Sequence, residues 1–294
     1  MPVVHEMPFL PFTERGSVVD GAFRWRLGVR PLDLDDWIQF GDDADGWVEQ
    51  KRTLCAEHHE TVFATMDGID AESSEVAVAL AEHLARRWPD RPRDLDPSLH
   101  PLDAAARLVP DDLVLMVERP APDGTQLVFG GGSVCFPNRW DLRSKLGQTM
   151  AEVHDVVPEL NAQLETHVDR FLNRLTPNRA YWRLGWGLLD VADGYTPIDG
   201  TADPRPEAVE PADLFLRVER ETLRRFPETG CVLFTIRTYV QPVMQAVHGD
   251  AEREALARAL ASMGETIRDY KDLSTMADPL VAHLQRPGGS SSQG

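Results

Sequence analysis

Between residues 112 and 239 the chain runs strand, strand, helix, helix, strand, strand, strand, an order that few architectures accept. Asp112 to Glu118 is apolar and β-branched, and Gln126 to Phe136 returns after turn chemistry at Pro120 to Gly124, sharpest at Asp123-Gly124. The glycines at 130–132 open no helix, so they mark a close backbone approach or a bulge rather than a nucleotide loop. Two helical stretches follow. One carries Lys145 and His154; the other runs from about Glu159 to Leu175 and carries His167 beside its apolar stripe. Tyr181 to Asp190 then alternates, with Trp182, Leu184, Trp186 and Leu188 on one side and Arg183, Gly185 and Gly187 on the other. After a loop rich in Pro, Asp and Gly from Val191 to Ala212, Leu214 to Glu219 and Cys231 to Tyr239 are the last strands. A short helix is expected between them at Arg220 to Phe226. Runs of strands with hairpin links predict an α+β fold: an antiparallel five-stranded sheet with helices on one face.

Helices are expected at both ends of this core. Leu34 to Phe40, Trp47 to Met66 and Ser73 to Trp88 have helical apolar spacing, and Pro89 and Pro92 close the last. Glu252 to Met263 and Asp278 to Leu284 return to helix, and the Gly/Ser-rich residues 286–294 read as a disordered tail. One domain over residues 1–285 is the simplest division: a helical region at about 30–108, a core at about 112–240 and closing helices at about 241–285.

Charge narrows the partners. A formal net charge of −18 repels phosphate backbones, so nucleic acid is not an expected ligand. The same charge either steers a cationic substrate or a basic protein, or serves solubility alone. No apolar run approaches the roughly 20 residues that span a bilayer, and no charged-then-apolar leader opens the chain. A cytoplasmic protein without a membrane partner is expected. Cys55, Cys135 and Cys231 are far apart and form no CxxC, so buried structural thiols are expected rather than disulfides or an iron–sulfur cluster.

His154 is the candidate ligand. Leu142, Leu146, Met150 and His154 are spaced by four and share one face of an expected helix that stops before Pro158. An imidazole at such a helix end can present a nitrogen to a metal, or can cap the helix and answer its dipole. Asp155 can orient the far ring nitrogen, or can point away from it. His58-His59 lacks HExxH spacing and reads as a solvated face. No GxSxG, P-loop or kinase signature is present.

Four motifs in order carry a resemblance. "FPNRWDLRSKLGQTMAEVHDVVP" (residues 136–158) is similar to a family pattern of Phe-Pro, Trp, Lys-x-Gly and Ile-His-Asp-Pro-Val-Pro. Arg183-Leu184-Gly185-Trp186 is similar to its Arg-x-Asn-Trp. Leu216 to Pro242 resembles its Leu-Arg-x-Glu-Arg-Gln-Thr-Leu-x-Arg-Leu-Pro stretch and the strand after it. The family is that of the haem-bearing subunit of haem-dependent oxidative N-demethylases, and the likeness runs from about Pro8 to Leu284. Val156, Gly185, Glu221 and Phe226 depart from its pattern of Pro, Asn, Gln and Leu.

The resemblance implies a PAS-like core, which the strand order also matches, and a haem b between sheet and helices. It implies His154 as axial ligand, with His167 the competitor. It also implies propionate or haem contacts among Arg220, Arg224, Arg237, Lys145 and Trp186, and substrate contacts at Glu219 and Tyr239. The reaction implied is oxidative N-demethylation of a small amine such as dimethylamine, with O₂ consumed and formaldehyde released. This chain has no flavin or iron–sulfur motif, so electrons are expected from an external FMN/iron–sulfur reductase. The rival reading is a PAS-like sensor or carrier that binds haem or another ligand without turnover.

Overall fold

The structure is a computed structural model that describes residues 7–14, 18–19, 22–122, 124–154, 168, 170–198 and 210–286. A small two-stranded ladder, β1 (Val18–Val19) and β2 (Ala22–Phe23), precedes β3 (Arg30–Leu32). The helical N-terminal region comprises α1 (Ala44–Glu57), α2 (His59–Val62), α3 (Asp70–Arg87) and α4 (Pro101–Ala106), with β4 (Phe63–Thr65) between α2 and α3. The core adds β5 (Asp112–Ala121), β6 (Gly124–Ser133), α5 (Met150–Val153), β7 (Ala180–Leu189), β8 (Phe215–Arg225) and β9 (Val232–Pro242). The chain closes with α6 (Val243–Ala246), α7 (Asp250–Ala261), α8 (Glu265–Tyr270) and α9 (Ala277–Leu284).

One antiparallel sheet of seven strands organises the molecule, in the order β3-β7-β8-β9-β5-β6-β4. The five expected strands are its contiguous centre, and β3 and β4 are short additions at the two edges. The glycine run answers both of its expectations. A Cβ on Gly131 would stand 2.8 Å from Thr65 Cγ2 and 2.9 Å from the Ala64 carbonyl, so β4 can lie close only against glycine. The β5–β6 register also shifts between Leu115 and Met116.

Register sorts the side chains onto two faces. The first face carries Trp182, Leu184 and Trp186 of β7, beside Thr222, Arg220 and Val218 of β8. Thr235, Arg237 and Tyr239 of β9 continue it. Leu80 and Leu84 of α3 and Leu102 of α4 pack against Leu113, Leu115 and Leu233 at one end. Leu256 and Leu260 of α7 and Leu280 of α9 pack against Leu188, Leu216 and Val218 at the other. Each fully buried leucine contributes about 1.5–3 kcal/mol of burial, so this face holds the scaffold together.

The second face carries Arg183, Gly185 and Gly187, then Glu219, Glu221 and Leu223, then Phe234 and Ile236. Over it lie Leu142 against Val114 and Phe129, and Leu172 and Leu175 against Met116, Leu223 and Val232. Helices therefore cover both faces, not one. The long N- and C-terminal helices take the first, and short pieces take the second.

Four expectations about local structure are corrected. Residues 142–154 do not form one helix. A 3₁₀ turn at Arg143–Lys145 and the four-residue α5 are separated by Gly147 at φ +77°. Phe129 captures the intervening chain, accepting from Gly147 N–H at 2.9 Å and donating to the Gln148 carbonyl at 2.8 Å. Arg220 to Phe226 is not a helix either, because β8 runs unbroken to Arg225 with β7 and β9 paired along it. Tertiary pairing there overrides helix propensity. Finally, Trp47 to Met66 ends in β4, and of Leu34 to Phe40 only Leu34–Asp36 is helical, as a 3₁₀ turn. By contrast α3 forms as its sequence predicts. Asp70 and Glu72 in its first turn and Arg86 and Arg87 in its last suit the helix dipole.

Candidate functional site

His154 caps the C-terminal end of α5, whose start is fixed by a capping box between Thr149 and Glu152. Burial pushes its pKa down to about 4, and the nearby charges of Arg183 and Lys145 push the same way; the Met150 carbonyl opposes them. The ring is therefore neutral at pH 7, the state in which imidazole can ligate a metal. Among the described residues no three His, Cys, Asp or Glu side chains converge as a ligand set. A metal already held by a macrocycle needs only one such ligand. Asp155 and His167 lie outside the described residues.

Arg183 joins His154 to a charged group on the second face. Its Nε lies 3.0 Å from Glu221 Oε2, yet the N–H is not aimed at that oxygen and makes no aligned hydrogen bond. Burial pushes Glu221 up to about 7, against the pull of Arg183. Glu219 accepts from Arg217 Nε at 2.8 Å. A Cβ at Gly185 would sit 2.8 Å from Glu221 Oε1 and 3.2 Å from Glu219 Oε2, so the bare backbone there makes room for both carboxylates. Lys271 donates to the Trp186 carbonyl at 3.1 Å. Burial lowers its pKa to about 8, while Glu219 pulls it back. A cavity of about 590 Å³ borders Arg183, Gly185 and Lys271.

The remaining expected contacts lie on the opposite face. Arg220 donates to the Trp37 carbonyl at 3.1 Å and the Asp36 carbonyl at 2.7 Å. Arg224 stacks over the Trp37 ring at 4.4 Å. Arg237, fully buried, pairs with Asp43 at 2.6 Å and stacks 4.6 Å over Tyr239. Trp186 packs edge-on to Phe12 at 5.5 Å. These side chains fasten the N-terminal region to the sheet. His154, Lys145 and Glu219 stay together in the region of the second face; Arg220, Arg224, Arg237 and Tyr239 do not join them, and Trp186, on the first face, meets the group only at the β7 edge, where it lines the same cavity as Arg183.

On a strand, neighbours such as Glu219 and Arg220 face opposite sides, so the sheet separates the expected substrate contact Glu219 from the expected propionate contacts Arg220, Arg224 and Arg237. Arg183, Glu221 and Lys271 were not singled out as site residues. Arg183 and Glu221 are cross-strand partners, a relation visible only once the register is known. No local pattern marks Lys271.

Two other features are structural. His59 Nε2 meets Asp103 Oδ2 at 2.8 Å, tying α2 to α4. All three cysteines are free and buried, with Cys55 Sγ and Cys135 Sγ 3.9 Å apart. No described helix is long and apolar enough to cross a membrane. Residues 91–281 match the family described as haem-dependent oxidative N-demethylase, alpha subunit-like, a stretch that takes in the five central strands, His154 and Lys271. The match covers well over half of the chain, and the chain belongs to that family.

Proposed function

We propose that this chain is the haem-bearing subunit of an oxidative N-demethylase for a small methylated amine such as dimethylamine. The observation that carries the reading is a half-buried, neutral His154 set with two cations, Lys145 and Arg183, over the face that presents Glu219. Those residues fit haem b. The imidazole would supply a ligand to the iron, partly buried Phe234 and Ile236 would supply apolar surface, and the cations would suit propionates. The central strands support a PAS-like core, since the first lies between the second and the fifth. Residues 1–285 then make one haem-binding unit.

Haem, when bound, supplies the iron that activates O₂. His154 would hold that iron, and Lys145 and Arg183 would orient the macrocycle. Glu219 receives the ammonium of the substrate. Arg220, Arg224 and Arg237 are scaffold residues in this reading, and Tyr239 is removed from the substrate by the sheet itself. The overall change takes one methylated amine, one O₂, two electrons and two protons to the shortened amine, formaldehyde and water. The electrons come from a separate FMN/iron–sulfur reductase.

His154→Ala should abolish or strongly shift the Soret band of the reconstituted protein and its reduced, carbon monoxide-bound spectrum. An unchanged spectrum would remove His154 from the iron. Formaldehyde release from dimethylamine with a surrogate reductase tests the reaction. A haem-loaded, reducible protein that yields none from any methylated amine would be a sensor or carrier.

A further inference from the structure

Two of the three cysteines meet. Cys55 Sγ and Cys135 Sγ lie 3.9 Å apart although 80 positions separate them in sequence. They pack with Leu54, Val62 and Phe136, as buried structural thiols do. One anchor holds both. Lys51 and Cys55 are buried and stand four residues apart on α1, so they share a face of that helix. Lys51 Nζ donates to the Asp111 carbonyl and lies 3.7 Å from Asp112 Oδ1. Asp112 in turn accepts the N–H groups of Cys135 and Phe136, each at 2.9 Å. A buried ion pair and two hydrogen bonds therefore set the sulfur contact.

The surroundings make the two thiols unlike. The contact with Cys135 brings the Cys55 pKa down to about 7; burial opposes it, and Lys51 and Arg107 add to it. The same contact and burial push Cys135 up, and the Asp112 carboxylate adds to that. A thiol that ionises near neutrality beside one that keeps its proton suits an attacking and a resolving cysteine. Cys55 also lies in the last turn of α1, beside the exposed residues 56–60. Helix ends open at little cost, which admits an oxidant not much larger than water. Cys231 is differently placed. It packs with Phe226 and Leu233, and burial pushes its pKa up to about 12.

We infer that Cys55 and Cys135 form a dithiol site that hydrogen peroxide closes to a disulfide. The Cys55 thiolate attacks one peroxide oxygen, the O–O bond breaks, and the departing hydroxide takes up a proton to become water. Cys135 then attacks the sulfur of the Cys55 sulfenic acid. The S–O bond breaks, and a second water leaves with the Cys135 proton. Two thiols and one peroxide give one disulfide and two waters; the sulfurs lose two electrons and the peroxide gains them. This site stands apart from the haem reading, and its test does not depend on that reading.

Folded full-length protein is treated with excess hydrogen peroxide, then denatured, alkylated and analysed by mass spectrometry. The wild type should lose two of its three alkylatable thiols and keep Cys231. Digestion should yield one linked pair of peptides carrying Cys55 and Cys135, and dithiothreitol should restore all three thiols. In Cys135→Ser the reaction should stop at a sulfenic acid on Cys55, which dimedone traps; circular dichroism checks that this variant is folded, and the wild-type result decides if it is not. Three intact thiols in peroxide-treated wild type would overturn the inference. So would a disulfide that includes Cys231, or sulfinic acid on Cys55 with Cys135 still free.

Discussion

At the scale of single residues, two histidines are held neutral by burial for different ends. His83 of α3 is buried against Trp37 at 5.3 Å, both of its ring nitrogens lack partners among the described residues, and its pKa is pushed down to about 4, as is that of His154. A depressed histidine pKa means that the unfolded chain takes up a proton first as pH falls. Stability is thus fully present above about 6.5 and drains away toward pH 4. For His83 the loss is about 3 kcal/mol. Urea unfolding at pH 7 and pH 4.5 should show a steeper decline in the wild type than in His83→Phe, and parallel declines would contradict the assignment. The buried arginines make a second prediction. Arg237→Ala strands the Asp43 carboxylate and should cost about 3–5 kcal/mol. Arg220→Ala orphans two carbonyls and should cost about 1–3 kcal/mol. Neither should change the haem spectrum of protein that remains folded, whereas a shifted Soret band would return them to the haem site. Spacing and Pro158 left His154 open as a metal ligand or a helix cap, and only the family resemblance favoured the ligand. Its company was not readable, because Arg183 lies 29 positions away and meets it only through the sheet.

At the scale of elements, legibility followed how sharply a segment alternates or turns. The β5–β6 hairpin was readable because Asp123-Gly124 permits little else, and Gly124 does adopt φ +134°. β7 was readable because its tryptophans and leucines fall on every second position. β8 was half lost. Leu-Arg-Val-Glu-Arg-Glu-Thr-Leu-Arg-Arg mixes charge onto both faces, since Arg220 on one side binds carbonyls and Glu219 and Glu221 on the other meet Arg217 and Arg183. A period of two disappears when both faces are polar and buried. The segment 142–154 failed for a different reason, as spacing by four survives a break that Gly147 and Phe129 impose. The glycine run offers the test at this scale. Gly131→Ala should cost about 1–3 kcal/mol, because the new methyl meets the Ala64 and Thr65 backbone of β4, which can yield only by unpairing. Thermal unfolding and hydrogen exchange at Thr65 report both effects; an unchanged melting temperature would mean that β4 simply shifts.

At the scale of the whole molecule, the sheet is a wall between two kinds of work. The helices that read clearly in the sequence, α3, α7 and α9, all pack on the first face, where apolar periodicity and burial coincide. The second face is covered by short, irregular segments around charged strands, which is why the fold class was accessible and the site only in outline. The pleat then has a consequence for descent. Along β8, a change at Glu219 or Glu221 meets the face of the proposed haem site, while a change at Arg220 or Thr222 meets the scaffold. Adjacent codons therefore carry unlike risks, and a lineage can drift in what it accepts without drifting in shape.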